Sequence, residues 1–135
     1  MSRIFPDGIY CHAANKPNKQ QPMKIENSKA QMKKGVLEYC ILAIIDKKDC
    51  YASEIIHELK EAKMIVVEGT LYPLLTRQKN AGLLSYRWEE SRQGPPRKYY
   101  TLTEKGKNYL RELDESWQEL QKAVAQINQN RNTEQ

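Results

Sequence analysis

A mainly helical fold with one small β-hairpin is what this sequence predicts. Three observations carry that reading. Apolar residues recur at helical spacing in three segments between Ala30 and Ala81. Two later segments read as strands and flank the turn-forming stretch Gly94-Pro95-Pro96. The C-terminal segment then repeats apolar residues at steps of 3, 4, 3, 4 and 3.

The first helix is expected from Ala30 to Asp46, where Val36, Leu37, Cys40, Ile41, Ala43, Ile44 and Ile45 cover more than half of its circumference. A helix apolar over so wide an arc is buried against several neighbours. The second runs from Ala52 to Ala62, with Ala52, Ile55, Ile56 and Leu59 on one face and Glu54, His57, Glu58 and Glu61 outside. Met64 to Val67 either pairs as a short strand or fills the core. The third helix holds Leu71, Leu74, Leu75 and Gln78 on one face. Pro73 has no N–H and is tolerated only near a helix start, so this helix begins close to Gly69 or Thr70. Gly82 is its natural stop. Leu83–Glu90 places Leu84, Tyr86 and Trp88 on one side, and Trp88 is expected to pack from the hairpin onto the core. Ser91 to Pro96 reads as the hairpin loop, and Arg97–Leu102 as the second strand, where Tyr99 and Tyr100 face opposite ways. Thr103 caps the last helix, with Glu104 in its first turn.

At 135 residues the chain is about one domain. Residues 1–28 read as an extension without stable structure, and Met23 is a plausible alternative start. Cys11 and His12 lie there without further ligands at metal-binding spacing, so no metal site is expected. Residues 29–103 form the main domain, 104–129 the C-terminal helix and 130–135 a flexible tail. The longest apolar run, Tyr39–Ile45, is seven residues. A membrane-spanning helix needs about 20, so no membrane partner is expected. Residues 1–22 lack the long apolar stretch of a secretory signal. Three cysteines without CxxC spacing argue against a disulfide framework and point to a reducing cytoplasm. No Gly-rich phosphate loop, metal cluster or catalytic constellation is present. The expectation is a protein that is not an enzyme, with no catalytic residues and no cofactor.

Net charge is +5 and the isoelectric point about 9.1. The excess is uneven: residues 29–69 are neutral, 70–107 carry +5 and 108–135 carry −2. Such a middle segment fits a surface for a polyanion, and it also fits a solvated surface with surplus Lys and Arg. Three helices, a hairpin and a further helix follow the order of a winged helix-turn-helix domain. In that arrangement the third helix enters the major groove. Its N-terminus offers N–H groups to a phosphate. Thr70, Tyr72 and Pro73 lie near that end. Arg77 and Lys79 add phosphate charge further along, Arg97 and Lys98 supply the wing, and Lys33 flanks them. Leu110, Leu113, Trp117, Leu120, Val124 and Ile127 repeat as the seam of a coiled coil, which fits self-association and also fits packing on the domain's own first helix. The alternative is a helical protein-interaction module with only nonspecific nucleic-acid binding.

Lys34-Gly35-Val36-Leu37-Glu38, Glu68-Gly69-Thr70-Leu71-Tyr72-Pro73-Leu74-Leu75 and Gly94-Pro95-Pro96-Arg97-Lys98-Tyr99-Tyr100-Thr101-Leu102-Thr103 resemble the PadR family of transcriptional regulators. The resemblance covers residues 29–127. It implies a homodimeric winged-helix repressor on double-stranded DNA with a roughly palindromic operator, dimerised through the C-terminal helix against the partner's N-terminal helix. The single C-terminal helix is similar to the small-regulator branch. Trp117, in Glu115-Ser116-Trp117, resembles the position at which a multidrug-binding member stacks flat aromatic compounds between two symmetry-related tryptophans. That implies a small aromatic effector. One departure is plain: Ala52-Ser53 precede Glu54-Ile55 where many members carry Gly-Tyr, so no contact of that tyrosine carries over.

Overall fold

The computed structural model describes residues 23–131, which fall into two units that part between Met32 and Lys33. In the first unit the described residues are helical from Ile25, the start of α1 (Ile25–Lys47). The helix therefore begins five residues earlier than its apolar period indicates. Residues 25–28, placed in the extension by composition, are helical: a polar first turn carries no apolar period to reveal it. Cys11 and His12 lie outside the described residues.

The second unit holds the rest of α1 and six further elements. These are β1 (Cys50–Tyr51), α2 (Ala52–Glu61), α3 (Glu68–Asn80), β2 (Leu84–Ser91), β3 (Gly94–Leu102) and α4 (Glu104–Ile127). The hairpin is thus part of a three-stranded antiparallel sheet of order β1-β3-β2, with Cys50 opposite Tyr100 and Tyr51 opposite Tyr99. Tyr51 also caps α2, and its N–H donates to the Glu54 carboxylate at 3.0 Å. Residues 64–67 form no strand. Met64 and Val66 pack on the core while Ile65 and Val67 point outward.

The core is built from Ile41, Leu42 and Ile45 of α1, Ile55 and Leu59 of α2, and Leu71 and Leu75 of α3, all exposed by 2% or less. Cutting one such side chain to alanine costs about 2–5 kcal/mol. Leu84, Tyr100 and Leu102 close the core from the sheet. Helix α3 ends as the sequence requires. Gly82 takes φ +82°, its N–H donates to the Lys79 carbonyl at 3.0 Å, and the Leu83 N–H donates to the Gln78 carbonyl at 3.0 Å.

The hairpin turn is shorter than its Gly-Pro-Pro content suggests. Strand pairing continues to Ser91 opposite Gly94, which leaves only Arg92 and Gln93 in the turn. Between the pairs Glu89–Arg97 and Ser91–Gly94, Glu90 faces both Pro95 and Pro96, a β-bulge. Prolines are admitted there because β1 pairs only with residues 99–100, so the outer edge of β3 is open beside them.

Helix α4 is seated by a close approach at its first turn. The Thr103 hydroxyl accepts from the Gly106 N–H at 3.0 Å and donates to the Gly82 carbonyl at 2.7 Å. A β-carbon on Gly106 would lie far closer to the Leu83 carbonyl oxygen than van der Waals contact allows, and 2.7 Å from Leu102 Cδ1. Lys105 Nζ donates to the Ala81 carbonyl at 2.8 Å, so α4 also closes the C-terminus of α3. Among the described residues, no helix is long and apolar enough to cross a membrane.

Candidate nucleic-acid interface

Helix α3 divides cleanly. Leu71, Leu75 and Gln78 are buried, while Thr70, Tyr72, Pro73, Thr76, Arg77, Lys79 and Asn80 are exposed. The Gln78 amide donates to the Glu38 carbonyl at 3.1 Å and fixes the rotation of α3 on α1. The face predicted for DNA therefore points to solvent, with Tyr72 46% exposed.

Its start differs from the sequence reading. The helix begins at Glu68, which sets Pro73 at the sixth helical position and a carboxylate at the first. Proline removes the N–H owed to the Gly69 carbonyl, so that carbonyl has no partner at i+4 in the helix. The Glu68 carboxylate already answers the helix dipole. It also repels a phosphate there, so that end suits neutral contacts from Thr70 and Tyr72.

The wing carries its cations on aromatic rings. The Arg97 guanidinium lies 3.9 Å from the Tyr51 ring centre, and Arg87 lies 4.4 Å from that of Tyr99. Lys98 Nζ lies 4.6 Å from the Tyr86 ring and 5.6 Å from Trp88. Such stacking narrows the reach of a long side chain without removing its charge. Trp88 does not pack on the core: it is 61% exposed and stands edge-on to Tyr86. Strand alternation gave its side correctly, but the Trp88–Lys98 row lies beyond the end of the core.

An open cleft of about 380 Å³ gathers several predicted residues where α2, α3 and the wing meet. Tyr72, Arg97 and Lys98 line it together with Tyr51 and Trp88. Arg77 stands elsewhere, 3.3 Å from the Glu38 carboxylate of α1, and its side chain remains 74% exposed. Pairs this open are worth little, so Arg77 stays available to a stronger anion. Lys33 is exposed on α1 and lines neither that cleft nor the one beside Arg77.

The seam predicted on α4 is part buried and part exposed. Leu110 is 5% exposed and belongs to this chain's own core, and Leu113 packs against it. The exposed part of that seam therefore starts later than its spacing suggests. Trp117 is half-buried with its ring centre 6.2 Å from that of Tyr39. The Tyr39 hydroxyl donates to Asp114 at 2.6 Å, and that hydrogen bond, with partial burial, pushes the phenol up to about 12. Leu120, Val124 and Ile127 are exposed.

The Transcriptional regulator PadR-like family model matches residues 41–112. That span runs from the buried half of α1 through α3 and the wing into α4. This chain belongs to the PadR-like family of transcriptional regulators. A PadR-like transcription factor from Bacteroides fragilis is 63% identical, covering 75% of this chain and 98% of that one, with a TM-score of 0.65. A PadR-like regulator from Bacillus cereus is 40% identical over 74% of this chain and 98% of its own, with a TM-score of 0.67. An uncharacterized protein of Lysinibacillus sphaericus is 32% identical over 94 residues, 67% of this chain and 86% of that protein. The winged-helix DNA-binding fold of PadR regulators is thus the fold of this chain.

Within that PadR frame, Tyr51 and Tyr86 hold the wing's cations and are the members of the candidate interface that sequence reasoning missed. Tyr51 sits in a strand of two residues, too short to show a period. Tyr86 was read only as a strand face. The signal available was aromatic residues alternating with Arg and Lys across paired strands, legible only once the register is known.

Proposed function

We propose that the protein is a homodimeric repressor that binds a palindromic operator in double-stranded DNA. The observation that carries this reading is the meeting of α3's exposed face and the wing's ring-held cations along one cleft. Helix α3 enters the major groove, with Thr70, Tyr72 and Pro73 nearest the base edges. Arg77 and Lys79 grip phosphates along the helix, Arg97 and Lys98 grip the flanking backbone, and Lys33 lies toward the outer end. The seam from Leu113 through Trp117, Leu120 and Val124 to Ile127 joins two protomers and sets the spacing of the half-sites. Such a regulator acts in the cytoplasm, with no membrane partner.

Arg97→Ala with Lys98→Ala tests the wing. The double variant is expected to bind every DNA sequence about twenty-fivefold more weakly per half-site at about 150 mM salt, with the slope of log K against log salt smaller by about two per half-site. An unchanged slope counts against the wing contact.

Small flat aromatic compounds are proposed to enter the dimer seam beside Trp117, whose ring already leans on Tyr39. In a Trp88→Phe background Trp117 is the sole tryptophan reporter. Saturable quenching of Trp117 by a planar dye is the expected result, together with a rise in the dye's own fluorescence anisotropy that is lost on Trp117→Ala. A rise in dye anisotropy that persists without Trp117, or no quenching in the Trp88→Phe chain, removes the effector reading.

A further inference from the structure

A second, smaller cleft lies where α3 meets the wing. Thr76, Lys79 and Asn80 of α3 face Tyr86 and Lys98 of the sheet across about 110 Å³. Sites for drug-sized ligands run about 300–1,000 Å³, so this one suits a single small group. No acidic residue lines it.

Both ammonium groups converge on one ring. Lys98 Nζ is 4.6 Å and Lys79 Nζ 5.7 Å from the centre of Tyr86, so the two stand within about 10 Å of each other. Among the described residues neither has a carboxylate partner, whereas Arg77 has Glu38 and Arg87 has Glu89 and Asp49. Two like charges near one ring, both lining one cleft, leave a positive hollow, and an anion placed between them relieves their repulsion. Thr76 and Asn80 add neutral donors at its wall.

We infer that this cleft seats one phosphate of the DNA backbone, shared between Lys79 of the recognition helix and Lys98 of the wing, with Tyr86 as the positioning residue for both. This rests on the DNA-binding reading. A phosphate held by both elements fixes the angle between helix and wing on the duplex, and phosphate contacts set register while base contacts set sequence. Thr76 and Asn80 bind the same phosphate.

The test uses the full chain and a duplex that it binds at about 150 mM salt. Methylphosphonate linkages neutralise one phosphate at a time. One position per half-site is expected to cost wild type about fivefold in affinity, the value of one phosphate contact at this salt. On the duplex neutralised there, Lys79→Ala and Lys98→Ala should both lose their effect, while each retains it on duplexes neutralised elsewhere. Tyr86→Phe keeps the ring and should keep this coupling; Tyr86→Leu should lose it, with the thermal melt checking that the variant is folded. Penalties of the two lysines that follow two different phosphates, or none, would overturn the shared seat and leave the DNA reading standing. A wild-type chain that binds no duplex would overturn both.

Discussion

Gly106→Ala is expected to lower the melting temperature by about 10 °C. The added methyl group meets the backbone oxygen of Leu83 and the side chain of Leu102. A carbonyl in the chain cannot rotate aside as a surface side chain would. Helix α4 must therefore back away from the β2 start, which loosens the Thr103 hydroxyl bonds and the seat of Leu110. Overpacking of this kind costs about 1–3 kcal/mol, and 1 kcal/mol moves the midpoint by about 4–8 °C in a domain near this size. Gly69→Ala is the matched control, since nothing lies within 4 Å of its added β-carbon. That variant should melt no lower than wild type. Melts are compared by circular dichroism at one protein concentration, because the proposed dimerisation would add to the midpoint. Equal midpoints for Gly106→Ala and wild type would contradict the close approach.

Leu120→Glu with Val124→Glu is expected to leave the protomer folded and to abolish the dimer. Both side chains are about half exposed in the protomer, at 52% and 48%, so their loss alters its own stability by about 0.5 kcal/mol or less. In a dimer the same change buries four carboxylates in an apolar seam, where unpaired charge is not tolerated. Sedimentation should show monomers. Affinity for a two-half-site operator should fall at least about a hundredfold, because the second half-site no longer benefits from effective concentration. The salt slope should fall to about half. A dimer that survives the double substitution would place the protomer contact elsewhere on the molecule.

These two results probe the parts of the molecule that were legible to different degrees. The alternation of buried and exposed residues around α3 was plain, because Leu71, Leu75 and Gln78 recur at helical spacing while every charged neighbour falls outside. The end of α3 at Gly82 was equally plain, since glycine is the residue that most readily takes the positive φ of such a turn. The α4 seam was legible as a pattern but not as a division of labour. Docking on its own domain and docking on a partner require the same 3-4 spacing, and only the fold shows that Leu110 is already used. Strand β1 was hidden because two residues carry no period. It exists because β3 leaves an open edge beside the start of α2. The position of Trp88 followed from how far the core extends under the wing, which alternation does not encode. The Lys79–Tyr86–Lys98 cluster joins residues of three elements, so no window of sequence contains it.

Selection of bound duplexes from a random DNA pool, at about 150 mM salt to suppress nonspecific phosphate binding, tests the central claim most directly. The account predicts an enriched palindrome whose half-sites lie roughly one helical turn apart, one for each α3 of a dimer. Binding that enriches no sequence, and that only weakens as salt rises, would contradict it.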